Sequence, residues 1–169
     1  GEPTLQLAGR ALGPPPTARA LLPDALPLRG EMRLLQRAFR ARAKLARQKK
    51  LVGQEGLALD VVRHGLADAV SPSTIANLRL EAQMRDVCGR LQPSLVIVMF
   101  EGHVWERCVL RGARLGFPDV RCAGYQHTVV REYSHGVRRR LGMDADPEII
   151  LCMGDVTRRT LQEASDLRS

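Results

Sequence analysis

Leu95-Val96-Ile97-Val98-Met99-Phe100 is the stretch that decides the fold, and Glu101-Gly102-His103 follows it directly. Six apolar residues, three of them β-branched, are too few for a buried helix and read as a strand. No polar residue alternates with them, which is the pattern of a strand buried on both faces of a parallel sheet. The elements on either side fit that reading. Upstream, Ser71-Pro72-Ser73 breaks the chain, and Ser73 is the expected N-cap of a helix running to about Leu91. Its apolar positions include Ile75, Leu78, Met84 and Val87, and Gln92-Pro93-Ser94 ends it. Downstream, Val104 to Leu115 is a helix with Gly116 as the residue after its cap. Val120–Gln126 is a second strand, Glu148–Met153 a third after Pro147, and Val156 to Ala164 a last helix with Asp155 as its cap. Alternating helices and short strands imply right-handed crossovers and a parallel α/β sheet.

Before this body the composition changes. Residues 1–30 hold six of the ten prolines, including Pro14-Pro15-Pro16, and are expected to be extended. Over residues 31–50, Met32, Leu35, Phe39 and Leu45 recur among arginines and lysines, a basic amphipathic helix. Residues 57–70 predict a short helix on Leu57, Val61, Val62 and Leu66. The chain divides into a Pro-rich segment at 1–30, a basic helix at 31–55 and an α/β domain at 56–169. Starting at Gly1 and stopping inside a helical pattern, it reads as a piece of something longer.

The net charge of +8 sits in residues 1–50, which carry eleven Lys/Arg against three Asp/Glu; the remainder carries fifteen of each. Basicity is therefore a property of one segment, and no aromatic platform accompanies it, so nucleic acid is not the expected partner. No apolar run approaches a bilayer span and no secretory leader is visible, so a cytoplasmic location is expected. Cys88, Cys108, Cys122 and Cys152 lack any CxxC or CxxH spacing and sit in apolar settings, as small buried thiols do. The sequence contains no GxGxxG, GxxxxGK[ST], GxSxG or HExxH.

In a parallel α/β sheet, ligands bind beyond the carboxyl ends of the strands. The three exits read Glu101-Gly102-His103, Gln126-His127-Thr128 and Gly154-Asp155-Val156-Thr157. Polar and titratable groups thus collect at one edge. Glu101 either caps the following helix or serves as a general base or hydroxyl ligand. His127 either packs against a backbone carbonyl or binds an anionic group or acceptor. His103 has a turn position. Trp105 packs on the sheet or stacks on a sugar, and Arg107, Arg111 and Arg114 read as a solvated face.

Three blocks carry a resemblance: Phe100 to Arg107 (FEGHVWER), Ala123 to Thr128 (AGYQHT) and Pro147 to Gly154 (PEIILCMG). In this order and spacing they resemble bacterial surface-carbohydrate biosynthesis proteins of the GT-B glycosyltransferase type. The likeness spans roughly residues 76–164, and residues 1–70 match nothing in it. It implies that residues 56–169 form one Rossmann-like half of a two-half fold, with the donor half beyond Ser169. It implies a sugar transferred from a nucleotide donor to a glycan or lipid-linked acceptor of lipopolysaccharide or capsule. No metal or other cofactor is implied, the nucleotide sugar being a substrate held mainly by the other half. Carried onto this chain, Glu101 and His127 become the catalytic pair. His103, Trp105, Gln126, Thr128, Gly154 and Asp155 become the substrate contacts.

Two other readings stand beside this one. The α/β body could be a non-catalytic scaffold whose basic helix, residues 31–50, docks anionic lipid at the inner face of the cytoplasmic membrane or an acidic partner. A small hydrolase using Glu101 and a histidine is a third, weakened by the lack of a nucleophile or metal set.

Overall fold

The structure is a computed structural model and describes residues 21–49, 56–128 and 135–163. The proline run at 14–16 and the rest of residues 1–20 lie outside the described residues, as do residues 50–55, 129–134 and 164–169. In chain order the elements are α1 (Leu28–Lys49), α2 (Leu57–Asp68), α3 (Pro72–Leu91), β1 (Leu95–Met99), α4 (Val104–Gly116), β2 (Arg121–Gln126), α5 (His135–Arg138), β3 (Ile149–Cys152) and α6 (Asp155–Glu163). The α/β architecture is as the sequence predicts: a parallel three-stranded sheet, ordered β1-β2-β3, with flanking helices.

Four helix ends differ from expectation. Helix α1 begins at Leu28, inside the segment expected to be extended, and Asp155 is the first residue of α6 rather than its cap. Ser71, not Ser73, caps α3, and its hydroxyl accepts from the Thr74 amide at 3.2 Å. Pro72 explains the shift, because a proline is preorganised for the first helical position and lacks the donor that would go unpaired there. Gly116 is the last residue of α4 rather than the one after its cap. Its glycine is needed for packing: a Cβ there would meet the Arg85 carbonyl oxygen at 2.1 Å, and one at Gly112 would meet the Glu81 carbonyl oxygen at 2.3 Å. One turn apart on α4, these two glycines let its backbone lie directly on that of α3.

Burial on both faces of β1 is corrected. Pairing aligns Val96 with Cys122 and Val98 with Gly124, and these positions face the helices. The core built there includes Val98, Phe100, Leu110, Ala113, Cys122 and Val137. On the opposite face the register aligns Ile97, Ala123 and Ile149, then Met99, Tyr125 and Leu151. Among the described residues that face is open: Leu95, Ile97, Met99, Tyr125, Ile149 and Leu151 are 38–56% exposed, and the small Ala123 is hidden between its isoleucine neighbours. Strand order gives the reason. It never reverses, so successive right-handed crossovers return over the same side of the sheet.

Outside the α3–α4 layer, α1 is fixed by two ion pairs. The Arg37 guanidinium grips the buried Glu81 carboxylate at 2.5 and 3.2 Å. Arg79 grips Glu31 at 2.7 and 2.9 Å, while the Leu26 amide donates to the same Glu31 carboxylate. Leu34 and Ala38 are buried in the seam between these pairs. Hydrogen bonds from Arg79 and Leu26 lower the Glu31 carboxyl from 4.5 to about 2.

Two outcomes follow from this packing. Gly116→Ala forces α4 off α3 and is expected to lower the free energy of unfolding by about 3 kcal/mol, read from a denaturant midpoint. The depressed carboxyl means that Glu31 adds stability above pH 4.5 and loses it as pH falls toward 2. Amide-exchange protection of α1 should therefore decline across that window, and Glu31→Gln should abolish that dependence.

Candidate functional site

The carboxyl edge of the sheet is organised by a buried carboxylate that the sequence reading left without a role. Glu106, in the first turn of α4, accepts three backbone N–H groups on one oxygen, from Glu101, Gly102 and His103, at 2.8–2.9 Å. This satisfies the amides of the turn that leads into the helix and places negative charge at the helix's positive end. It also pulls the β1–α4 turn into one shape. Gly102 has φ +87° at this point, and a Cβ on it would meet the Gly136 backbone at 1.9 Å. The turn is thus gripped from α4 and covered by α5.

Because Glu106 does the capping, Glu101 does not. Among the described residues its carboxylate accepts no hydrogen bond. One oxygen lies 3.9 Å from His127 Nδ1 and the other 3.5 Å from His103 Nε2. These separations suit ion pairing with a protonated imidazole and are longer than direct hydrogen bonds. Glu101 and His127 side chains are 32% and 38% exposed, and His103 is more open. The Tyr125 ring, on the open sheet face, stacks under His127 with centroids 6.2 Å apart. The structure therefore brings Glu101, His103 and His127 together.

The other predicted site residues divide. Gln126 is buried; its Nε2 donates to Thr128 Oγ1 at 2.9 Å and to the Thr128 carbonyl, while its Oε1 has no partner among the described residues. Gln126 and Thr128 thus shape the turn that carries His127. Trp105 is 38% exposed at the start of α4. Gly154 and Asp155 do not join the cluster. They follow β3, which is separated from β1 by β2, about 10 Å across two strand spacings. Asp155 pairs instead with Arg158 of its own helix at 3.1 Å.

The expected solvated face of α4 is also corrected. Arg107 is buried over the Phe100 ring, 5.2 Å from its centroid. It donates to the Gly136 and Arg139 carbonyls at 3.0 and 2.7 Å and pairs with the buried Asp146. Asp146 in turn accepts the Leu141 and Gly142 amides. Burial lowers the Arg107 pKa from its ordinary value, with the neighbouring Glu106 opposing the shift. Arg114 donates to the Asp144 and Asp146 carbonyls, so two arginines of α4 tie down the β2–β3 crossover. Arg111 alone keeps much of its exposure, 3.5 Å from Glu81. Two signals could have found these residues. Glu106 stands three places after the residue preceding α4, the spacing of a capping box. Arg107 shares a helical stripe with the core residue Leu110.

Among the described residues, no three His, Cys, Asp or Glu side chains gather as a metal site, and no helix is long and apolar enough to cross a membrane. Burial raises the pKa of all four cysteines, which makes them poor nucleophiles at neutral pH. No family model matches the chain, and neither does any curated protein or solved structure.

Glu106→Ala leaves three amides without their acceptor. It should destabilise the chain by about 3 kcal/mol or more, measured by denaturant unfolding. Glu106→Gln keeps a neutral acceptor oxygen and should fall between it and the native chain.

Proposed function

We propose that the β1–β2 carboxyl edge is the acceptor side of a sugar-transfer site. The protein is then a glycosyltransferase-like component of bacterial surface polysaccharide synthesis, for lipopolysaccharide or capsule. One observation carries this reading: a carboxylate released from helix capping stands between two imidazoles at the end of a parallel strand. The likeness of the FEGHVWER, AGYQHT and PEIILCMG blocks to GT-B enzymes supports it and supplies the reaction class. On that likeness this sheet belongs to one Rossmann-like half, and a second half supplies most of the nucleotide-sugar contacts.

In this scheme Glu101 takes the proton of the attacking acceptor hydroxyl. The acceptor oxygen bonds to the anomeric carbon of the donor as the bond from that carbon to the phosphate oxygen breaks. The nucleoside diphosphate leaves with the electron pair. His127, held by Tyr125 and the Gln126–Thr128 turn, donates to an acceptor hydroxyl or donor phosphate, and His103 keeps the carboxylate oriented. Gly154 and Asp155 enter this scheme only if the substrate reaches across β2. With a lipid-linked acceptor, the working place is the cytoplasmic face of the inner membrane.

The test is replacement in cells of the gene by Glu101→Gln and His127→Ala forms. Loss of the base should cut surface-polymer synthesis by about a hundredfold or more. Both side chains are partly exposed, so melting of the purified variants should stay near that of the native chain. Unchanged polymer with either variant overturns the assignment.

A further inference from the structure

Helix α1 carries more surface than its packing uses. At 3.6 residues per turn, its seam residues Leu34 and Ala38 and the two ion pairs to α3 fix its rotation. What then faces away from the body is an apolar stripe of Leu28, Met32, Leu35 and Phe39, spaced four, three and four and 41–79% exposed. Beside it, over an adjoining arc of about 60°, lie Arg29, Arg33, Arg40, Lys44 and Arg47. These five are exposed, and among the described residues none is in an ion pair. The sole carboxylate of α1, Glu31, is already held by Arg79, so the helix itself supplies no free negative charge to this sector.

We propose that α1 is a membrane-surface helix that docks on anionic phospholipid. Its stripe would enter the headgroup boundary, and its cations would meet lipid phosphates. The complementarity is twofold. A nucleic acid would satisfy the cations but offers little to three aliphatic side chains, and Phe39 is the lone aromatic in the helix. An anionic bilayer satisfies both sectors at once. The pairs Arg37–Glu81 and Arg79–Glu31 hold the helix with this surface already turned outward, so docking needs no rearrangement of the α/β body. The proposal is independent of sugar transfer.

Co-flotation of the 169-residue chain tests it, using vesicles of phosphatidylcholine alone and with added phosphatidylglycerol. The chain should float with the anionic vesicles and not with the neutral ones, and binding should weaken as salt rises. The triple variant Arg40→Gln, Lys44→Gln, Arg47→Gln should bind about a hundredfold more weakly, near fivefold for each cation. Leu35→Ser with Phe39→Ser should release the chain without changing its charge. All five positions are exposed, and circular dichroism of each variant checks that the fold is retained. Absent flotation at low salt, equal flotation with neutral vesicles, or variants that bind like the native chain would overturn the proposal. So would tight binding of a single-stranded oligonucleotide that survives Leu35→Ser/Phe39→Ser while vesicles are ignored, since α1 would then be a nucleic-acid surface.

Discussion

The arrangement at the sheet edge depends on one buried carboxylate. Glu106 gathers the amides of Glu101, Gly102 and His103 onto a single oxygen. Charge-assisted bonds of this kind are stronger than neutral ones, and in a dry site their loss is costly. The effect reaches past the turn itself. With its amides bound by Glu106, the Glu101 side chain is left free to face the two histidines. The flattened turn also lets Gly136 approach to a distance that a side chain at Gly102 would forbid. Arg107, the next residue, then reaches into the β2–β3 crossover at Gly136. The Glu101 carboxylate is thus presented by a second, structural carboxylate five residues away.

The helix layer obeys a similar constraint of distance. Glycines one turn apart on α4 bring two backbones together, and the buried Glu81 of α3 receives Arg37 from α1. Layers therefore stack in sequence, α1 on α3, α3 on α4, α4 on β1, with charged groups joining the outer pair and apolar groups the inner ones. Stacking proceeds from one side of the sheet only.

Element type and order were legible because they follow from local pattern. The apolar run at 95–100, the prolines at 72, 93 and 147 and the period of α3 each act over a few residues. The clustering of Glu101 with His127 was legible too, because adjacent parallel strands must end side by side. What is not legible there depends on the third dimension. An unbroken apolar strand says that both faces are apolar, not that both are covered; that depends on whether strand order reverses. The separation of Asp155 from Glu101 likewise depends on which strand lies between. Buried arginines escaped because Arg107 and Arg114 are compensated by carbonyls some thirty residues ahead, beyond the reach of any local rule.

The exposed isoleucines, leucines and methionine of the sheet have a consequence for how this molecule is followed in solution. Dyes that brighten on apolar surface are commonly read as signs of a loosened, molten state. Here the described residues of an intact sheet already offer such a surface, hydrogen-bonded from strand to strand. Dye emission would report architecture in this protein, and loss of side-chain order would have to be followed by near-ultraviolet dichroism instead.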